Sequence, residues 1–327
     1  MKQKPVYAGI GAFAAMLILI LDSQTAAIGA KEGIALCLTT VIPSLFPFFL
    51  ISILLTSSLS GVSLPFLRPF GKLLGLPPGT EAILISGFLG GYPAGAQSVC
   101  AAWKSGQLSK DTAERMLALC NNAGPSFLFG MSASIFCEKW APWALWGILI
   151  FSSVLTSFLL PPNLAPPTVS FPGGELSVTQ ALRSAIQIMG TVCGWVVLFR
   201  VLICFLRRWI LWILPAETQV LIIGFLELSN GCCELANVSS FSLRFVLCAI
   251  FLACGGLCVG MQTRAVTAGL SLGCYCFGKL IQTLFCLILS FSVISGYGIP
   301  VMLSAVLFVM VLQKQKNKSS ISGLFGV

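Results

Sequence analysis

Histidine is missing altogether, and the only aspartates are Asp22 and Asp111. Without imidazole there is no histidine general base, no imidazole metal ligand and no histidine pH switch. Two aspartates that flank apolar runs, far apart in the chain, exclude an intramembrane aspartate dyad. Charge is scarce: Asp, Glu, Lys and Arg make up 9% of the 327 residues, where a soluble globular domain carries about 25%. Phosphate-loop GxxxxGK[ST] and HExxH patterns do not occur, nor do the basic–aromatic stripes that bind nucleic acid. Gly269-Leu270-Ser271-Leu272-Gly273 matches GxSxG, but no histidine exists to activate its serine. The expectation is a chain that is not an enzyme, holds no cofactor or metal and has no nucleic-acid partner.

What is abundant is apolar. Hydrophobic residues reach 57%, mean hydropathy is +0.97 and there are 24 Phe, a composition that needs an apolar solvent. A multi-pass membrane protein of the all-α class follows, since a spanning chain must satisfy its backbone internally. The 14 cysteines are dispersed through apolar stretches with no CxxC, so they read as small apolar residues facing neighbouring helices.

Crossing a hydrocarbon core takes about 20 apolar residues. Continuous candidates are Val6–Leu21, Pro142–Leu160, Ala185–Leu206, Phe245–Met261, Leu280–Ile294 and Ile299–Leu312. The first is read as a retained anchor, with a cleaved signal as the alternative. Four further stretches are interrupted: Ile34–Leu59 by Pro43 and Pro47, Ala82–Val99 by Gly87, Gly90, Gly91, Pro93 and Gly95, Met116–Phe136 by Asn121, Asn122, Gly124 and Pro125, and Val220–Ala236 by Glu227, Asn230 and Gly231. A helix broken in hydrocarbon leaves N–H and C=O groups unpaired at several kcal/mol each, so breaks persist only where protein, water or ligand satisfies them. Proline-kinked packing helices are the other reading.

With Ala82–Val99 and Val220–Ala236 as re-entrant hairpins and about eight spans, both termini are cytoplasmic. Lys2, Lys4, Arg68, Lys72, Lys104, Lys110, Arg115, Arg183, Arg264, Lys279, Lys314, Lys316 and Lys318 then fall inside. Lys31, Lys139, Arg207, Arg208 and Arg244 fall outside, and Arg200 lies within a span. The partition obeys the positive-inside rule, with Arg207-Arg208 as its exception. Residues 1–32 form the anchor, 33–160 a first repeat, 161–183 a linker, 184–264 a second repeat, and 265–327 the C-terminal helices and basic tail. Ile85-Ser86-Gly87-Phe88-Leu89 echoes Ile222-Ile223-Gly224-Phe225-Leu226, each before a break. Because the halves enter from opposite sides, the expected fold is an inverted-topology repeat with its ligand site where broken elements meet.

Six stretches carry a family resemblance: Pro43-Ser44-Leu45-Phe46-Pro47-Phe48-Phe49, Gly91-Tyr92-Pro93-Ala94-Gly95-Ala96, Asn121-Asn122-Ala123-Gly124-Pro125 with Phe129-Gly130, Leu226-Glu227-Leu228-Ser229-Asn230-Gly231, Gly255-Gly256-Leu257 with Gln262, and Lys279-Leu280. In this order they resemble the YlbJ-like sporulation integral membrane proteins and related proteins with the nucleoside-recognition Gate domain, over about Gly33 to Val293. Asn122 and Cys232-Cys233 depart from the family pattern. The resemblance implies a likeness to concentrative nucleoside transporters, a role in sporulation, and dipicolinate as a solute.

Glu227 is the sharpest candidate, because an acid inside an apolar run is costly, by about 2.5–3.5 kcal/mol on insertion scales for Asp. It either meets solute or a coupling proton at a hairpin tip, or caps the second half-helix. At the first tip, Tyr92, Pro93, Gly95 and Gln97 surround a reversal whose free N–H groups suit an anionic oxygen; Gly87, Gly91 and Gly95 are also explained by helix packing. Asn121 and Asn122, with Ser229, Asn230 and Gln262 in the second half, are polar enough to face a cavity or another helix. Arg200, Arg264 and Lys279 could supply positive charge for an anion; Arg264 and Lys279 read first as interfacial side chains reaching toward water, which leaves Arg200 as the oddest placement, and Gly255-Gly256 read first as packing glycines.

The function expected is a secondary transporter or facilitator of a small polar solute, an organic anion such as dipicolinate or a nucleoside-like molecule. Alternating access would operate at a midplane site, coupled to H+, to Na+ or to nothing, in the cell membrane, with a homo-oligomer open. The rival reading is a membrane scaffold or assembly factor acting in sporulation.

Overall fold

The computed structural model describes residues 3–59, 61–161, 176–305 and 307–308, and every regular element among them is helical. Helix α1 (Gln3–Leu21) is followed by α2 (Ser23–Leu36), whose start Asp22 caps by accepting the Thr25 N–H at 3.3 Å. A π-helical turn, Cys37–Val41, carries α2 straight into α3 (Ile42–Ser58). The stretch expected to break at Pro43 and Pro47 is therefore one continuous 36-residue helix, Ser23–Ser58. Pro43 sits in the first turn of α3, where its missing N–H is least costly. The wider π turn just before it lets the chain continue.

Short α4 (Arg68–Leu74) precedes the first hairpin, in which α5 (Glu81–Ile85) and a π-helical turn (Ser86–Gly90) descend and α6 (Ala94–Lys104) returns. Helix α7 (Lys110–Leu119) starts on a Ser109 cap, and after a break α8 (Pro125–Ile135) leads to α9 (Ala141–Leu159). The second half opens with the 32-residue α10 (Val178–Trp209), nucleated by a Ser177/Gln180 capping box. Its hairpin is α11 (Ala216–Leu226) and α12 (Leu228–Leu235); α13 (Phe241–Cys254), α14 (Gly256–Val266) and α15 (Gly273–Ile294) follow, then a helical stretch over 298–305. The linker after Pro161 and the basic tail with Lys314, Lys316 and Lys318 lie outside the described residues.

Among the described residues, five helices are long and apolar enough to cross a membrane: Ser23–Ser58, Ala141–Leu159, Val178–Trp209, Phe241–Val266 and Gly273–Ile294. Phe241–Val266 was expected to be unbroken over Phe245–Met261, and it is not. Gly255 and Gly256 take φ values of +72° and +73°, a conformation open to glycine, and they divide it into α13 and α14. They are break residues, not only packing glycines. Both halves thus run in the order long helix, hairpin, broken helix, long helix.

Packing joins like to like. Helix α10 lies along α2 and α3, and α15 lies along α9 and α13. Gly29 and Gly33 let α2 approach α10 so closely that a Cβ at either would press on the α10 backbone at Val201 or Val197. The main apolar core gathers Phe49, Phe127, Leu145, Val196, Phe245 and Phe251. A second cluster around Leu84, Phe88, Met116 and Leu117 seats the first hairpin.

Candidate functional site

Of the four breaks, those at Gly91, Asn121 and Glu227 carry buried polar side chains. At the first, Gly91 adopts φ +78° and Tyr92–Pro93 is a cis peptide. Tyr92 and Pro93 are buried, and Tyr92 belongs to the same core cluster as Leu228 and Cys232, on the helix that Glu227 caps. Gly95 has a packing role: a Cβ there, or at Gly87, would collide with the Cys120 carbonyl. The first hairpin is thereby pressed against the end of α7.

The second break separates α7 from α8. Asn122 donates from Nδ2 to the Leu119 carbonyl at 2.7 Å, and the Ser153 hydroxyl donates to the same oxygen at 3.0 Å. Asn122 Oδ1 accepts from Lys279 Nζ at 3.0 Å and from Gln282 Nε2 at 2.8 Å, and Lys279 also donates to Gln282 Oε1 at 2.9 Å. Lys279 is 6% exposed. The expectation of an interfacial lysine is overturned, because α15 begins at Gly273 and carries Lys279 more than a turn inside. Asn121 donates to Thr263 Oγ1 at 2.8 Å, joining the first broken helix to α14 of the second.

Glu227 forms the third break and is 1% exposed. Its carboxylate caps α12, accepting Ser229 N at 3.0 Å, Asn230 N at 2.7 Å and Asn230 Nδ2 at 2.6 Å. Asn230 Oδ1 in turn accepts from Arg200 at 2.8 Å, and Arg200 forms an ion pair with Glu32 at 2.8 Å. Arg200 is thus not stray: it links Glu32 on α2 to Asn230 and the hairpin tip. Gln262 is buried on α14 with its Nε2 3.3 Å from Cys258 Sγ, next to Thr263. Glu234 is paired with Arg207, and Arg208 meets Asp22 at 2.9 Å.

The buried Tyr92 and Ser126 hydroxyls and Gln97 Oε1 make no hydrogen bond among the described residues, and the Tyr275 hydroxyl lies beside Asn121 and Thr263. Gln97 also lines a cavity of about 300 Å³ between α6 and α10, with Lys104, Ser184, Gln187, Thr191 and Val266 among its walls. The candidates therefore divide. Tyr92, Asn121, Glu227, Ser229, Asn230 and Gln262 cluster at the breaks, Asn122 faces Lys279, and Gln97 points to the side cavity.

Gln282, Tyr275, Thr263 and Glu32 were not among the candidates, and Lys279 was read first as interfacial. A signal for three of them exists: Tyr275, Lys279, Gln282 and Cys286 fall on one face of α15 and are buried, while Leu280, Leu284, Ile288 and Phe291 on the other are exposed. A helix with its polar face inward and its apolar face outward belongs in lipid. Glu32 gave no such sign, since its partner lies on another helix.

No protein-family profile matches the chain, and no solved structure matches it. The chain is similar to the sporulation integral membrane protein YlbJ of Bacillus subtilis (strain 168), 33% identical over 141 residues. That match covers 41% of this chain and 33% of the relative, so the chain spans about a third of the length of the curated relative it matches. The chain is an integral membrane protein with a sporulation protein as a homologue.

Proposed function

We propose that the protein is a secondary transporter or facilitator of a small polar solute, an organic anion or a nucleoside-like molecule. The solute binds where the first hairpin tip, the two broken helices and Glu227 converge. One observation carries this reading: Asn121, Thr263 and Tyr275 form a buried polar group joining the two broken helices, and the buried Tyr92 and Ser126 hydroxyls beside the breaks have no hydrogen-bond partner among the described residues. A buried polar group left unpaired costs about 1–3 kcal/mol, so a group of them is a feature that a solute or water is there to satisfy. A chain serving only as a scaffold gains nothing from them.

The parallel order of elements in the two halves, and their charge partition, support an inverted-topology repeat with cytoplasmic termini. Alternating access then consists of the hairpins moving against α3 and α10. The cavity beside Gln97 and Lys104 is an entry route toward the site. The name of the similar Bacillus protein supports a setting in sporulation, where dipicolinate is one small anion to test.

Uptake into proteoliposomes loaded with the purified chain tests the reading, over a panel of small carboxylates, dipicolinate among them, and nucleosides. Saturable uptake of at least one solute is expected, reduced tenfold or more, about 1.4 kcal/mol, in Glu227→Gln. Uptake of none supports the scaffold. Wild-type rate and proton dependence in Glu227→Gln remove that residue from the mechanism.

A further inference from the structure

We propose that the Lys279 ammonium is the resident cation of the first broken helix, so that no metal cation binds at that break and solute movement requires no sodium. The break exposes the C-terminal end of α7, the negative end of a half-helix. Such ends, with unwound carbonyls, are where membrane proteins hold small cations. Two amide oxygens converge there, Asn122 Oδ1 and Gln282 Oε1, and both accept from Lys279 Nζ, at 3.0 and 2.9 Å. The Leu119 carbonyl is already taken by Asn122 and Ser153.

No carboxylate is among the partners of Lys279 within the described residues. Glu227 is committed to Ser229 and Asn230, and Glu114 accepts from Ser271 N. An ammonium buried in a membrane helix and held only by neutral amides is costly to retain, unless the site itself calls for positive charge. A metal ion seeking the same two oxygens meets that charge at contact distance and is repelled. The inference rests on the proposed transport role only for its consequence, sodium-independent movement; the occupancy of the break is tested without any solute.

The test is thermal unfolding of the purified full-length chain in detergent, in NaCl, KCl and choline chloride at equal ionic strength. With the accessible cysteines, Cys137, Cys233 and Cys276 among them, blocked beforehand, a thiol-reactive dye reports exposure of those buried in the folded chain, which include Cys120 and Cys286. The wild-type midpoint is expected to be the same in all three salts. Lys279→Ala is expected to melt lower in choline chloride and to recover several degrees in NaCl or KCl, the small ion entering the vacated place. Lys279→Met, which fills that place with apolar atoms, is expected to melt lower in all three alike.

A wild-type midpoint that rises in NaCl over choline chloride overturns the proposal, and so does a Lys279→Ala chain indifferent to the salt. Should Lys279→Ala fail to fold, Lys279→Ser decides: a midpoint several degrees higher in NaCl or KCl than in choline chloride is expected, and a Lys279→Ser chain indifferent to the salt overturns the proposal. None of these readings depends on uptake. Sodium-dependent melting leaves the Tyr92–Glu227 region standing as a solute site, and a failed uptake panel leaves the melting result untouched.

Discussion

At Glu227 three donors from Ser229 and Asn230 hold one carboxylate, and the amide of Asn230 is fixed at both ends, donating to Glu227 and accepting from Arg200. Arg200 is therefore a positioning residue for the tip, and Glu32 positions Arg200. Arg200→Ala leaves a buried amide oxygen without its donor, for an expected loss of about 1–3 kcal/mol. Glu32→Gln breaks a pair whose acid is 46% exposed, for an expected loss below about 1 kcal/mol. Melting of the two variants side by side checks the order; equal losses would show that Asn230 does not depend on Arg200. Glu227 and Asn121 were legible in the sequence because each is polar where neighbours are apolar. Arg200 was visible only as an anomaly, since its acid lies 168 residues away on another helix. Lys279 was misread because distance from the end of an apolar run is a poor guide to depth when the helix starts earlier than the run.

Helix packing depends on a few glycines. In the first hairpin Gly87 and Gly95 leave room for the Cys120 carbonyl, and Gly231 lies against Gly224 in the second. Gly95→Ala forces a methyl into that carbonyl and is expected to cost at least about 1–3 kcal/mol, the usual range for overpacking. Gly147→Ala, at an exposed helical position with nothing within 4 Å, is expected to be neutral or to gain up to about 1 kcal/mol. Thermal melting of both variants checks the contrast. The two hairpins and the break at Asn121–Gly124 were readable because several helix breakers and polar residues coincide within a few positions. The continuity through Pro43 was not, because a π turn five residues long absorbs the proline without changing composition. The break at Gly255 was hidden for the opposite reason: apolar residues flank it, and two glycines alone do not distinguish close packing from a positive φ.

Across the whole molecule the halves meet through corresponding elements. Helix α6 packs on α14 and α8 on α12, so each hairpin's returning arm touches the far arm of the other half's broken helix. That exchange brings Tyr92 near Glu227, and Asn121 to Thr263. Three arginines of α10 that appeared on the wrong side or within a span, Arg200, Arg207 and Arg208, are each paired with an acid: Glu32, Glu234 and Asp22. These pairs explain how the three arginines are accommodated, while Arg207 and Arg208 still count as the exception to the positive-inside partition, which is set by Lys and Arg and not by net charge. The all-helical class and the paired breaks followed from composition and pattern; the meeting of the halves did not, because it is made by contacts between distant segments. Tyr92→Cys and Ser229→Cys, each in a cysteine-depleted chain, test the meeting most directly through labelling by a small, membrane-impermeant thiol reagent applied to either side of sealed vesicles. Both positions are expected to react, and saturating amounts of a transported solute are expected to slow both together. Two positions that stay unreactive from both sides, or react with no shared protection, contradict a common wet site.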